Sequence, residues 1–215
     1  MAMVARPLGL AAQDSGLELP DMRRFREEPE MQAKTLPVIP EEAVSLGHMG
    51  DLVIRFSLDA EGKVLGFALQ ETSGSEILDS AALELAPRAV WSPAADRRGR
   101  AVPAVVEYRY RYESWAHIGG ITRYSCAQFP LENDWWDATF PAHDGVRKRP
   151  PLFRELDVYR IMQRVQSGNL DFDPAFNQGD AAWDVAREQC RANPDKRFVD
   201  YIDLGPQLER AAQGG

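Results

Sequence analysis

The stretch that decides the fold runs from Gly50 to Leu85, "GDLVIRFSLDAEGKVLGFALQETSGSEILDSAALEL". Leu52, Ile54, Phe56 and Leu58 recur at every second position, with Val53, Arg55 and Ser57 between them. That period puts the apolar set on one face of a strand. "DAEG" at 59–62 supplies turn chemistry, and Gly62 can take a positive φ at little cost. Leu65, Phe67 and Leu69 resume an apolar face, so the segment reads as a β-hairpin. After Glu71 the period changes. Ser73 and Glu76 fit a capping box, with Ser75 as a rival N-cap. Ile77, Leu78, Ala81, Ala82 and Leu85 then fall at helical spacing. Pro87 ends or kinks this helix, because it lacks an N–H and crowds the preceding turn.

Downstream, "WSPAADRRGRAVP" reads as a loop. "AVVEYRYRYE" alternates: Val106, Tyr108, Tyr110 and Tyr112 share one face, and Glu107, Arg109 and Arg111 the other, as in a half-buried strand. A helix after the second strand carries the chain back, so the third strand runs parallel to the second. Placed beside the first, it makes every neighbour antiparallel. The predicted class is α+β, a three-stranded antiparallel sheet in order 2-1-3 with the helix on its apolar face. The third strand is then an edge, whose unpaired N–H and C=O groups are a liability or a docking rail.

Residues 1–35 carry Pro7, Pro20 and Pro29 among charges without a sustained period, and read as a tail with at most one short helix. Residues 113–215 read as a mainly helical extension. "PLFRELDVYRIMQRVQSG" predicts a helix with Leu152, Leu156, Tyr159 and Met162 along one side. "GDAAWDVAREQCRANP" predicts another, with Asp180 as N-cap, Trp183, Ala186 and Cys190 inward, and Asn193-Pro194 as the stop. "ENDWWDATFPAHDG" reads as an ordered loop held against the protein, because Trp135 and Trp136 are costly to leave in water.

A chain of 215 residues has room for one domain with attachments or two small ones. Its net charge of −8 and pI near 5.0 argue against a nucleic-acid or anionic-membrane binder, since both need clustered cations. The basic run Arg147-Lys148-Arg149 precedes two prolines and reads as a solvated linker. No window holds the roughly 18–20 apolar residues that span a bilayer. "VARPLGLAAQ" has an Arg and a Pro where the apolar core of a signal peptide would run. The protein is thus either cytoplasmic, or the sequence begins after a leader or anchor.

Catalytic signatures are absent: there is no nucleophile elbow, Walker loop, dinucleotide fingerprint or HExxH. "SGSE" could hold an anion at a helix N-terminus, but Glu76 and Asp79 would repel it, which favours capping. Asp134/Asp137 and Asp171/Asp173 match no metal-loop spacing. His143-Asp144 suggests a dyad only by adjacency, and adjacent side chains rarely face each other. His48, His117 and His143 are scattered and no CxxC occurs, which argues against zinc. No cofactor, metal or enzymatic activity is expected. Cys126 and Cys190 are either two buried thiols or one disulfide.

The ordered series across residues 37–112 resembles the C-terminal domain of the TonB energy-transducer family. It comprises Pro37-x-x-Pro40 with Glu41-Glu42-Ala43, then Gly50 before the first strand and Asp59-x-x-Gly62 at the hairpin. Ser73-Gly74, Leu78-Asp79 and Ala81-Ala82 follow, then Trp91-x-Pro93-Ala94, Gly99 and the aromatic third strand. The resemblance divides the chain into a tail (1–35), a TonB C-terminal-like domain (36–112) and an extension (113–215). It implies a periplasmic location in Gram-negative bacteria and β-strand addition of an outer-membrane receptor's peptide to the sheet edge. The docking residues it implies are Val105, Val106, Glu107, Tyr108, Arg109, Tyr110, Arg111 and Tyr112. That location also favours a Cys126–Cys190 disulfide. The chain shows neither the membrane anchor nor the Pro-rich spacer of a full transducer, so an adaptor role stands beside energy transduction. In the alternative reading the edge is covered by the chain's own extension or by a homodimer partner.

Overall fold

The computed structural model describes residues 25–32, 38–117, 120–144, 146–168, 171 and 173–213. They form two compact units. The first takes in the described residues of 1–37 together with 51–72 and 79–110; the second takes in 38–50, 73–78 and 111–215.

In the first unit the expected hairpin is present. β2 (Gly50–Leu58) pairs antiparallel with β3 (Val64–Glu71), with Phe56 opposite Phe67 and Leu58 opposite Val64. They follow β1 (Phe25–Glu27) in the chain. Asp59 builds the turn: its carboxylate accepts the N–H groups of Glu61 at 3.0 Å and Lys63 at 2.8 Å. Gly62 sits at φ 83°, and a Cβ there would come 2.6 Å from the Trp91 carbonyl oxygen, so both the turn and its packing require glycine. The third strand, β6 (Ala104–Tyr112), flanks β2 on its other side, giving the order β3-β2-β6. This is the antiparallel 2-1-3 arrangement read from the sequence. One detail differs at β3. Leu65 is 66% exposed and Leu69 36%, so only the middle of that apolar face, at Phe67, is covered.

The helix follows as α2 (Glu76–Leu85), with Leu78 and Ala82 fully buried. Ser75, the rival, is its N-cap: its Oγ accepts the Leu78 N–H, while Ser73 Oγ accepts the N–H of Ser75. Pro87 stops the helix as expected, and a 3₁₀ turn (Ala86–Arg88) that touches β3 takes over.

The segment 91–103, expected as a loop, is a second hairpin of β4 (Ala94–Asp96) and β5 (Ala101–Val102). Its turn repeats the chemistry of the first. Asp96 accepts the N–H groups of Arg98 and Arg100, and Gly99 sits at φ 75°. The end of the supposed tail is also ordered. β1 pairs with β4, and farther along Met31 bridges to Trp91. Residues 1–24 and 33–35, the rest of that expectation, lie outside the described residues.

The second unit is mainly helical. It contains α1 (Glu41–Ser45), α3 (Ser114–His117), α4 (Gln128–Thr139), α5 (Pro151–Gln166), α6 (Asp173–Ala192) and α7 (Gly205–Gln213). Three of the expectations here need correction. The Trp-rich segment is a helix, α4, rather than a loop; Pro130 is tolerated because the first turn has no intrahelical partner for its missing N–H. Met162 is 52% exposed, while Arg160 is buried in its place with Asp157 and Asp203 neutralising it at 3.0 and 2.8 Å. Asp180 does not cap α6, which begins at Asp173, and instead pairs with Arg149.

Trp183, Ala186 and Cys190 point inward as expected. They join a core built on Phe129, whose ring lies 4.8 Å from Trp183 and 4.3 Å from Phe198. The Cys126–Cys190 disulfide is formed, and both residues are buried in this core. Beside it the Phe198 N–H donates to the Tyr124 carbonyl at 2.8 Å and the Cys126 N–H to the Lys196 carbonyl at 2.9 Å. α4 also holds the loops at its side. A Cβ at Gly47 would meet Leu131 and one at Gly74 would meet Thr139, while Gln128 donates to the Val44 carbonyl at 2.8 Å.

Candidate partner-binding edge

β6 takes its place at the rim of the sheet from its alternation. Tyr110 and Tyr112 are buried and Tyr108 half-buried, while Glu107, Arg109 and Arg111 are exposed. The inward tyrosines are held edge-on: Tyr108 lies 4.8 Å from Tyr110 and 5.8 Å from Trp91, itself 5.2 Å from Phe56. Burial, then the neighbouring Tyr108, pushes the Tyr110 hydroxyl well above the usual tyrosine range, so it stays neutral. On the opposite face the charges are already matched. Glu107 meets Arg55 at 3.5 Å, and Arg109 lies 3.1 Å from Glu71 and 3.9 Å from Asp51. Arg111 pairs with Glu155 within the second unit. These exposed pairs fix side-chain directions more than they add stability.

The sheet order leaves one side of β6 without a strand neighbour among the described residues. Along that strand runs a groove of about 630 Å³. Phe25, Pro29 and Met31 belong to one wall, Trp91 contributes between, and Val105, Val106, Glu107 and Tyr108 form the other wall. Four consecutive strand residues cannot line a cavity through one face alone, since their side chains alternate. The groove therefore follows the backbone edge. Val105 is only 4% exposed, although its alternation places it with the charged set.

A family model describing the Gram-negative bacterial TonB protein C-terminal region matches residues 36–113. This chain carries a TonB C-terminal domain. Its relatives by family are protein-interaction domains, typically periplasmic. No curated protein matches the chain.

The TonB C-terminal domain holds all eight residues expected to dock a partner on one strand, with the first four on the groove. The wall at Phe25, Pro29 and Met31 lies outside the matched span and was missed. Its only signal is an apolar residue at irregular intervals among charges in "FREEPEM".

The other candidates for chemistry are engaged elsewhere, all in the second unit. Asp134 and Asp137 bind Arg187, with Arg191 and Arg147 completing an ion-pair network. The arginines hold the Asp137 carboxyl below its usual range despite partial burial. His143 Nδ1 does face its neighbour, 3.0 Å from Asp144, but both are almost fully exposed on a turn, with nothing to exclude water. His48 Nδ1 lies 2.8 Å from Ser75 Oγ, yet that hydroxyl is a buried helix cap. Burial lowers the His48 pKa against the pull of Glu42. The basic run is not a solvated linker. Arg147 binds Asp137, Lys148 sits 3.9 Å over the Phe140 ring, and Arg149 lies 4.7 Å over Phe153.

Glu132 is a carboxyl buried in the second unit. It accepts from Ser114, Tyr124 and Gln128, and burial raises its pKa against those three bonds. Burial and the Glu132 charge push the Tyr124 hydroxyl up. The cluster has the form of a satisfied polar core rather than an open site. Among the described residues no group of His, Cys, Asp and Glu could hold a metal ion, and no helix is long and apolar enough to cross a membrane.

Proposed function

We propose that this protein is a periplasmic TonB-like interaction module that binds an extended segment of a partner protein by strand addition along residues 105–112 of β6. The observation that carries this reading is the groove following four consecutive residues of a strand with no strand neighbour on one side among the described residues. A strand laid there pairs with main-chain N–H and C=O groups, each bond contributing about 1 kcal/mol net. Its alternate side chains meet the wall at Phe25, Pro29 and Met31. The peptide of an outer-membrane receptor is the partner that the family suggests, with transport energy transduction as the process. The chain acts by binding rather than catalysis, a reading supported by the ion pairs and caps that occupy its candidate acids, bases and hydroxyls.

Isotope-labelled full chain titrated with extended peptides tests this, the expected result being amide shifts concentrated at 105–112. A bound peptide that leaves those amides unmoved would overturn the reading. Sedimentation at two protein concentrations separates edge pairing between two copies, in which the monomer would give way to a dimer before any peptide is added.

A further inference from the structure

The groove carries information about the ligand beyond the fact of strand addition, and this inference rests on that reading. Its lining contains three carboxylates, Glu28, Glu30 and Glu107, and no cation. Glu107 shares its charge with Arg55 at 3.5 Å, but Glu28 and Glu30 have no cationic partner among the described residues. Both are exposed, on either side of the buried Pro29, so they stand at the mouth rather than in the floor. Between the acids the surface is apolar, formed by Phe25, Met31, Trp91, Val106 and Tyr108.

An acidic mouth over an apolar cleft beside a strand edge discriminates by side chain. A ligand strand sends every second residue toward the same wall, and a large apolar side chain there would be withdrawn from water. Residues at its ends stay near the mouth, where a cation is attracted by Glu28 and Glu30 and an anion is repelled. We infer that the groove selects an extended protein segment with a large apolar residue flanked by lysine or arginine. The acids responsible lie in residues 25–32, outside the matched span, so this selectivity belongs to the chain and not to the domain it carries.

Three peptides test the inference on the full chain at low salt: Lys-Thr-Val-Leu-Val-Thr-Lys, the same with Glu at both ends, and the Lys-ended peptide with its central Leu replaced by Ala. The Lys-ended peptide is expected to bind about tenfold tighter than the Glu-ended one, with the gap narrowing at 0.5 M salt. Leu→Ala is expected to weaken binding about tenfold. In the Glu28→Gln/Glu30→Gln variant the Lys-over-Glu preference should fall to about twofold while the 105–112 amides still shift. Equal binding of the first two peptides, or tighter binding of the Glu-ended one, overturns the charge selection and leaves strand addition standing if 105–112 still move. An unchanged preference in the double variant overturns the assignment to these acids. Indifference to Leu→Ala overturns the apolar cleft. Failure of all three peptides to move 105–112 overturns strand addition and the inference together.

Discussion

The first unit and the second are stabilised in different ways. The first unit is built on two local hairpins, each closed by an aspartate and a glycine, joined by the pairings of β2 with β6 and β1 with β4 around an aromatic file from Phe56 through Trp91 to Tyr108. The second unit depends on contacts far apart in sequence. Its core joins Tyr124, Phe129, Phe153, Trp183 and Phe198, and a covalent bond ties Cys126 to Cys190. Local turns specify which residues pair, whereas long-range packing and a cross-link supply stability that short elements lack.

Removing the cross-link should have the largest effect. The bridge closes a separation of 64 residues, and a Cys126→Ala/Cys190→Ala chain should lose about 4 kcal/mol in the second unit, read from denaturant midpoints. Hairpin amides 50–71 should keep their exchange protection; joint loss with the second unit would break the distinction between the two.

Next comes Glu132→Ala, expected to cost about 3 kcal/mol because Ser114, Tyr124 and Gln128 lose their shared acceptor in a buried site. Glu132→Gln, which keeps one acceptor, should cost less in the same measurement.

In the first unit, Gly62→Ala should cost about 2 kcal/mol, through positive φ and the collision with Trp91. The loss should appear as faster exchange in the hairpin while the melting of the second unit is unchanged.

The smallest effects are of opposite sign with pH. Asp96 is held down to about 2, first by the Arg100 N–H and then by the Arg100 guanidinium. Its contribution is present above the ordinary aspartate range and is lost as pH falls toward about 2. Glu132 is shifted upward, so its folded form favours the proton. Its effect on stability is most favourable below the ordinary carboxylate range and weakens as pH rises through the raised value. Amide shifts in 94–102 against those in 128–139 across an acid titration would show the two trends, and parallel trends would refute the assignment.

How far the sequence can be read follows the same division. The strands 50–58 and 104–112 and the helix after Ser75 announce themselves by period, and the sheet order follows from placing the third strand where every neighbour is antiparallel. The second hairpin hid because its arms are three and two residues long, too short for a period. Its turn was nevertheless written plainly, since "DRRGR" at 96–100 repeats the pattern of "DAEGK" at 59–63. α4 hid for another reason. Four of its five buried residues, Phe129, Glu132, Asn133 and Trp136, have helical spacing, but two of those four are polar. Their hydrogen bonds are supplied by residues such as Tyr124 and Trp183, which the local sequence does not contain. Half of the groove's lining was legible in the tyrosine strand; the rest required knowing that residues 25–32 come alongside Trp91.

The bridge between Cys126 and Cys190 also bears on what proteolysis would reveal. Ser167 and Gly168 are exposed after α5, between the two cysteines in the chain. A cut there separates the polypeptide into two pieces yet releases neither, because the pieces remain one covalent molecule through sulfur. Such a nicked protein runs as a single band without reductant and as two with it, so damage inside the helical unit passes unnoticed until the disulfide is opened.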